Sequence, residues 1–442
     1  MQHILRCRSL WRASTLETCF GSRLHVYGEP KARFASTWAQ DAEEANRGSN
    51  GPPLSGRVHI LGIGNVGSFI AHSLAARSSP PPITLCMHNK LLYNAYRQRK
   101  ESIAVSIHGM DNIQKGFDVE VVDPNGTWYP APSKHDRGPG GTESPFFNPE
   151  ASGPIENLIV CTKAHHTVLA MEEIAHRLTP ESTVCFIHNG MGVIDILNQK
   201  VFPNPETRPN YIQGVFSHGL TRKEQFSIAH MGVGTTILSP VGHRVAHLTG
   251  PDAEKSWAPT TKYLMQLLTL TPALVATAET PAGLIQYQLE KLAVNCCINP
   301  ITALGECNNG ELLYSFSYTR VMRLLLFEIS AVICALPELQ GVPGIEDRFS
   351  AERLRRYVVS IARMTARNES SMLQDINNRR TTEIEYFNGY IVRRGEELGI
   401  KCALNYMIKH LITGKATALA QRDRAEVPFS HEDIMFDGEE PQ

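Results

Sequence analysis

The chain has 442 residues, with 43 Lys and Arg against 44 Asp and Glu and a formal net charge of −1. At roughly 150 residues per domain that length implies about two to three domains, and a 42% hydrophobic content excludes wholesale disorder. Balanced charge argues against a surface given over to nucleic acid or anionic lipid, so no nucleic-acid partner is expected.

Residues 1–36 hold six basic residues against two acidic ones, a net charge of +4. A basic, Ser-containing, acid-poor start is the composition of a mitochondrial transit peptide; a basic tail on a cytoplasmic protein reads the same way. Residues 37–56 are polar and rich in Gly, Pro and Ser, and complete a leader-plus-linker region, 1–56. From Arg57 the pattern turns regular. Val58–Gly62 reads as a buried strand, Ser68–Arg77 as a helix, and Ile83–Met87 as a second strand after the Pro80–Pro82 break. Alternation over Ile103–Ile107 and Asp118–Val122 adds β-structure. Residues 123–154 carry seven prolines and five glycines, which predicts a surface insertion without regular structure. Leu158–Cys161 and Thr183–Ile187 are strand-like, and Thr167–Leu178 is helical. The alternation predicts an α/β domain over 57–280 with a largely parallel sheet.

From Ala282 the helical period dominates, over Gly283–Ile298, Thr319–Leu336, Ala351–Thr365, Thr382–Glu397 and Ala403–Arg422. A second, all-helical C-terminal domain is expected over 281–425, followed by an acidic tail, 426–442. No apolar run reaches the ~18 residues of a membrane span; the longest, Met322 to Leu336, is broken by Arg323 and Glu328. The ten cysteines are irregularly spaced without a C-x-x-C, which suits reduced thiols, and no pair has zinc-ligand spacing, so no metal is expected.

Gly62-Ile63-Gly64-Asn65-Val66-Gly67 fits G-x-G-x-x-G between a predicted strand and a predicted helix, the setting of a Rossmann-like dinucleotide site. An NAD site would place an acid at the end of the second strand to hold the ribose hydroxyl. The segment there reads Met87-His88-Asn89-Lys90, and no acid falls between Gly67 and Glu101. His88 and Lys90 suit a 2′-phosphate, so NADPH is the expected cofactor.

In the helical region Lys291, Asn295 and Asn299 lie at i, i+4 and i+8, one face of a helix running toward a break at Pro300. A polar stripe on an apolar helix faces solvent or faces a ligand; an ammonium and two amides suit a hydroxy or keto acid. Ser371 reads as loop-like or as an N-cap. Thr382 with Glu385 fits a capping box, in which Glu383 would merely favour the positive helix end.

These residues together resemble the ketopantoate reductase (2-dehydropantoate 2-reductase) family from about Arg57 to Leu419. The resemblance is carried by Cys161-Thr162-Lys163-Ala164, His188-Asn189-Gly190-Met191-Gly192, Lys291-Leu292-Ala293-x-Asn295-x-x-x-Asn299-Pro300, Asn309-Gly310-Glu311-Leu312, Ser371-Met372-Leu373-Gln374-Asp375 and Thr382-Glu383-Ile384, in family order. It implies a Rossmann-like NADPH domain, a helical second domain, an active site in the cleft between them, and reduction of ketopantoate to pantoate on the way to pantothenate. By resemblance Lys163 lies beside the nicotinamide, Asn189 near nicotinamide and substrate, and Lys291 is the general acid. Asn295, Asn299, Asn309 and Ser371 hold the substrate, and Glu383 contacts its hydroxyl. His88 departs from the family's usual Arg and Asn308 from its usual Pro. The expected partner is a small 2-oxo acid. Reduction of another branched 2-oxo acid and a reductase-like mitochondrial binding protein are the alternatives. A homodimer through the helical domain is open, since no periodic seam decides it.

Overall fold

The structure, a computed structural model, describes residues 54–131, 152–242 and 257–424. The basic leader, most of its linker, residues 132–151 of the expected insertion and the acidic tail lie outside the described residues.

A nine-stranded sheet forms the centre of the first domain. Its parallel core contains β1 (Val58–Leu61), β2 (Ile83–Met87), β5 (Asp118–Val122), β7 (Asn157–Val160), β8 (Thr183–Phe186) and β9 (Asn210–Phe216). β6 (Trp128–Pro130) pairs antiparallel at one edge; β12 (Thr236–Val241) and β13 (Ala276–Ala278) extend the other, giving the order β13-β12-β9-β8-β7-β1-β2-β5-β6. β1, β2, β7 and β8 are buried along their whole length, as strands covered on both faces must be. Succession runs from β1 to β2 on one side while β7 lies on the other, so the end of β1 is the switch point where ligands bind in doubly wound sheets.

The helices on this sheet are α1 (Asn65–Ala75), α2 (Lys90–Gln98), α3 (Ala164–Ile174), α4 (Val193–Lys200) and α5 (Pro259–Thr269). A second sheet, order β10-β11-β3-β4, is built from two hairpins: β3 (Ser102–Ile107) with β4 (Met110–Lys115), and β10 (Gly219–Glu224) with β11 (Ser227–Gly232). They join through parallel pairing of β11 with β3. Phe69 of α1 packs on His230 and His218 beside this sheet.

The second domain is helical: α6 (Pro281–Gly305), α7 (Phe316–Ala335), α8 (Ala351–Met364), α9 (Ser371–Asn377), α10 (Asn388–Glu397) and α11 (Ala403–Arg424). Leu289, Cys296, Leu325, Ile329, Val358, Ile391 and Ile412 share one buried core. No described helix is long and apolar enough to cross a membrane.

Four expectations are corrected. The 123–154 stretch is not wholly irregular: Asp123 caps a turn by accepting from the Asn125 and Thr127 amides, and β6 follows, with Trp128 buried and its indole donating to Glu173 O at 3.2 Å. Pro130 is tolerated because β6 is an edge strand. Pro300 does not break its helix; α6 continues to Gly305. Thr382 does not cap a helix with Glu385. A 3-10 turn at Ile384–Tyr386 intervenes before α10, and Glu385 pairs with Lys409. The capping box is formed instead by Asn308 and Glu311, the Glu311 carboxylate accepting from Asn308 N at 3.0 Å. Ser370, rather than Ser371, caps α9 by accepting from Leu373 N.

Candidate active site

The glycine loop leaves β1 at the switch point, and its three glycines do three different things. Gly62 has φ +92°, and a Cβ there would lie 2.6 Å from Thr162 N, so the turn is closed to other residues. A Cβ on Gly67 would lie 2.2 Å from Gly62 O, which fixes how closely α1 approaches β1. A Cβ on Gly64 would meet no atom within 4 Å. That open side, with no side chain capping α1 and no acid in its first turn, leaves backbone N–H groups for an anion. Ile63 is turned into the core, and Val66 packs against it, so neither side chain supplies the polar contacts. Asn65 donates to Leu220 O at 3.5 Å and accepts from Arg222 at 3.4 Å.

His88 and Lys90 are both exposed, flanking Asn89, which caps α2 by accepting from Leu92 N at 2.8 Å. They stand at the end of β2. Burial lowers the pKa of the nearby His166 of α3, with Lys163 and then His88 adding to the effect.

The polar stripe on α6 faces inward. The Lys291 ammonium donates to Asn189 Oδ1 at 2.7 Å and to Phe216 O at 2.6 Å, joining the helical domain to two strand ends of the sheet domain. Burial lowers its pKa to about 8, against the Glu383 carboxylate, which raises it. Asn299 is 6% exposed and reaches both Asn295 Oδ1 at 3.5 Å and Ser371 Oγ at 3.4 Å, so these three polar groups adjoin.

Glu383 is buried, and its Oε1 accepts from the Ala164 amide at the start of α3 at 3.0 Å. Burial raises its pKa, opposed by that amide, by Lys163 and by a hydrogen bond to Asn189. Asn189 therefore touches both Lys291 and Glu383. Lys163 makes an ion pair with Asp375 of α9. Asn309 stands apart in its bonding: its amide donates to Thr365 Oγ1 at 2.9 Å.

Two partners escaped the sequence reading. The Phe216 carbonyl is a backbone group with no side-chain signature. Asp375 lay inside a quoted motif, but 212 positions from the lysine it meets. His188, beside Asn189, is driven to a pKa of about 4, chiefly by burial, with Lys291 adding to the effect. A separate cavity of about 510 Å³ is lined by His188, Tyr211, Gln288 and Tyr390 among others. Neither Lys291 nor the glycine loop lines it, so its size does not make it the reactive site. Among the described residues no cluster of three or more His, Cys, Asp or Glu could hold a metal ion, and the eight described cysteines are free thiols.

Two family models match, one described as ketopantoate reductase PanE/ApbA over residues 58–243 and one as its C-terminal part over residues 284–416. A probable 2-dehydropantoate 2-reductase of Schizosaccharomyces pombe is 27% identical over 355 residues, covering 80% of this chain and 94% of that protein. A ketoisovalerate reductase of Gibberella fujikuroi is 28% identical over 409 residues, covering 84% and 85%. A solved D-mandelate dehydrogenase with NADH and anilino(oxo)acetate shares the fold, with TM-score 0.61 and 18% identity over 82% of this chain and 99% of that one.

Proposed function

The chain belongs to the ketopantoate reductase PanE/ApbA family, and from that premise we propose that it reduces 2-dehydropantoate to pantoate with NADPH, Lys291 acting as general acid. The observation that carries this reading is the enclosed Lys291 ammonium, held by Asn189 and Phe216 O and poised near a pKa of 8. A proton donor works best when its pKa lies near the working pH.

The loop fits the cofactor. Gly64 is open where a diphosphate would approach, and α1 presents unpaired N–H groups there. NADPH, when bound, supplies the hydride. Lys291 uses two of its three N–H donors on Asn189 and Phe216 O; the third is left for a substrate oxygen. There the ammonium stabilises developing negative charge and gives up its proton. Glu383 keeps it protonated by raising its pKa. Asn295 and Asn299 of α6, with Ser371 of α9 within reach of Asn299, orient the acid. Asn309, bonded to Thr365, acts on this reading by supporting that wall.

NADPH rather than NADH is supported by the exposed His88 and Lys90 at the end of β2 and by the lack of an acid there. A second substrate, 2-oxoisovalerate, is favoured by the ketoisovalerate reductase relative, which aligns across most of both chains. Purified protein given NADPH and either 2-oxo acid, followed at the nicotinamide absorbance, tests the reading. No oxidation with either acid refutes it, and the ratio of kcat/KM values ranks the substrates. The reading also includes mitochondrial import by residues 1–36, supported by their +4 charge. A tagged protein lacking them should stay in the cytosol, and unchanged localisation would count against import.

A further inference from the structure

The cleft carries a contact that the reaction just described does not use. The Lys163 ammonium, at the N-cap of α3 in the sheet domain, pairs with Asp375 of α9 in the helical domain. Asp375 is 5% exposed, and a carboxylate so enclosed stays ionised only when paired. Burial pushes its pKa up, while Lys163 and the nearby Arg380 pull it down. The next residue, Ala164, is held in the same way, its N–H donating to Glu383. Two consecutive residues of one domain are thus gripped by two carboxylates of the other.

The gripped segment is the floor of the glycine loop. The missing Cβ of Gly62 would lie 2.6 Å from Thr162 N and 2.7 Å from Cys161 C. The Gly62 turn therefore packs against the Cys161–Thr162 backbone with no room for a side chain between them, so a shift of Lys163 and Ala164 is transmitted to the turn that receives the diphosphate.

Building on the cofactor reading above, we propose that Asp375 is a positioning residue that acts through Lys163: with Glu383 it lets the helical domain clasp the Thr162–Ala164 segment against the glycine loop and thereby sets where the cofactor seats. Simple electrostatics predicts the opposite sign for its removal. NADPH is an anion, so deleting a nearby negative charge would tighten binding if Asp375 acted by charge alone.

A double-mutant cycle decides between them. NADPH titration and single-turnover reduction of ketopantoate are measured on the full chain, on Asp375→Asn, on Lys163→Met and on the double variant, each checked by thermal melting. Misplacement by about 1 Å costs on the order of 100-fold in rate, and Asp375→Asn is expected to lose about that much with weaker NADPH binding. In the Lys163→Met background the same change should cost less than about threefold. Asp375→Glu, which keeps the charge, should recover most of the rate. Equal losses in both backgrounds, or tighter NADPH binding at unchanged rate, overturn the proposal. If Asp375→Asn does not fold, the cycle is run with Asp375→Ser, which also removes the charge, and additivity with Lys163→Met overturns it equally. Failure of the unmodified protein to bind NADPH would refute the cofactor reading itself, a result separable from any behaviour of the variants.

Discussion

The Asn388 side chain donates to the carbonyl of Cys296 at 3.0 Å. Pro300 has no N–H to offer the carbonyl four residues before it, and that carbonyl belongs to Cys296. Asn388, at the start of α10 and fully buried, takes the vacated position and also donates to Asn405 Oδ1 at 2.9 Å. The helix carrying Lys291, Asn295 and Asn299 therefore crosses a proline intact because another helix supplies the lost partner. Asn388→Ala should destabilise the protein by roughly 1–3 kcal/mol, the cost of a buried unsatisfied carbonyl. In a Pro300→Ala background, where residue 300 again has an N–H, the loss should shrink. Urea unfolding of the four proteins checks this, and an equal loss in both backgrounds would show that Asn388 acts elsewhere.

Lys291→Ala should lower turnover by about 10²- to 10⁴-fold while leaving the NADPH dissociation constant within a few-fold. Its ammonium sits on α6, and the loop that receives the diphosphate follows β1. Steady-state kinetics and cofactor titration on one folded sample separate the two effects; near-normal turnover would remove Lys291 from the mechanism.

The pH dependence has a definite sign. Lys291 must be protonated to donate, and its pKa is lowered to about 8 by burial. We expect kcat/KM to be level below that value and to fall about tenfold per pH unit above it. Glu383→Gln removes the charge that raises this pKa, so it should shift the descending limb to lower pH. His188 gives an opposite dependence, in stability. Its folded pKa, about 4, lies below the ordinary 6.5, so the unfolded chain takes the proton first. Its stabilising contribution is complete above about pH 6.5 and is lost as pH falls toward 4, at about 1.4 kcal/mol per unit. His188→Gln should flatten that part of a stability-against-pH curve.

The glycines separate folding from binding. Gly67→Ala puts a methyl 2.2 Å from Gly62 O and should cost roughly 1–3 kcal/mol or more in stability. Gly64→Ala meets nothing within 4 Å, so it should fold normally and lose cofactor affinity instead. Thermal melting and NADPH titration on both variants test the distinction, and normal NADPH affinity in Gly64→Ala would place the diphosphate elsewhere.

His88→Ala with Lys90→Ala should raise the apparent NADPH constant by roughly 5- to 150-fold if one cation contact of ~1–3 kcal/mol is lost, and should change the NADH constant far less. Equal use of both cofactors by the unmodified protein would contradict the assignment.

What was legible in the sequence was local in sequence. β1, the glycine loop and the Lys291–Asn295–Asn299 stripe announce themselves through spacing within a dozen residues; the structure has the strand and the loop at those positions and carries the three stripe residues on one helix, α6. The continuation of α6 past Pro300 was not legible, because its cause, Asn388, lies 92 positions from Cys296. β6 was hidden by the prolines around it and by Pro130 within it, which an edge position tolerates. Glu383 drew attention as part of a motif, yet its meeting with the Ala164 amide spans 219 positions and has no periodic trace.

The small sheet that covers α1 has a consequence for how the chain is made. β3 gains its parallel neighbour β11 through Ala104 and Ser227, Val105 and Ile228, residues more than one hundred positions apart. During synthesis the first hairpin leaves the ribosome long before the second exists. Until then one edge of β3 offers unpaired backbone groups, and Ile103 and Val105, fully enclosed at the end, lack part of their cover. That interval makes the nascent chain sticky toward other strands. Slow translation or high expression would lengthen or crowd it, so inclusion bodies of this protein should be nucleated at this hairpin.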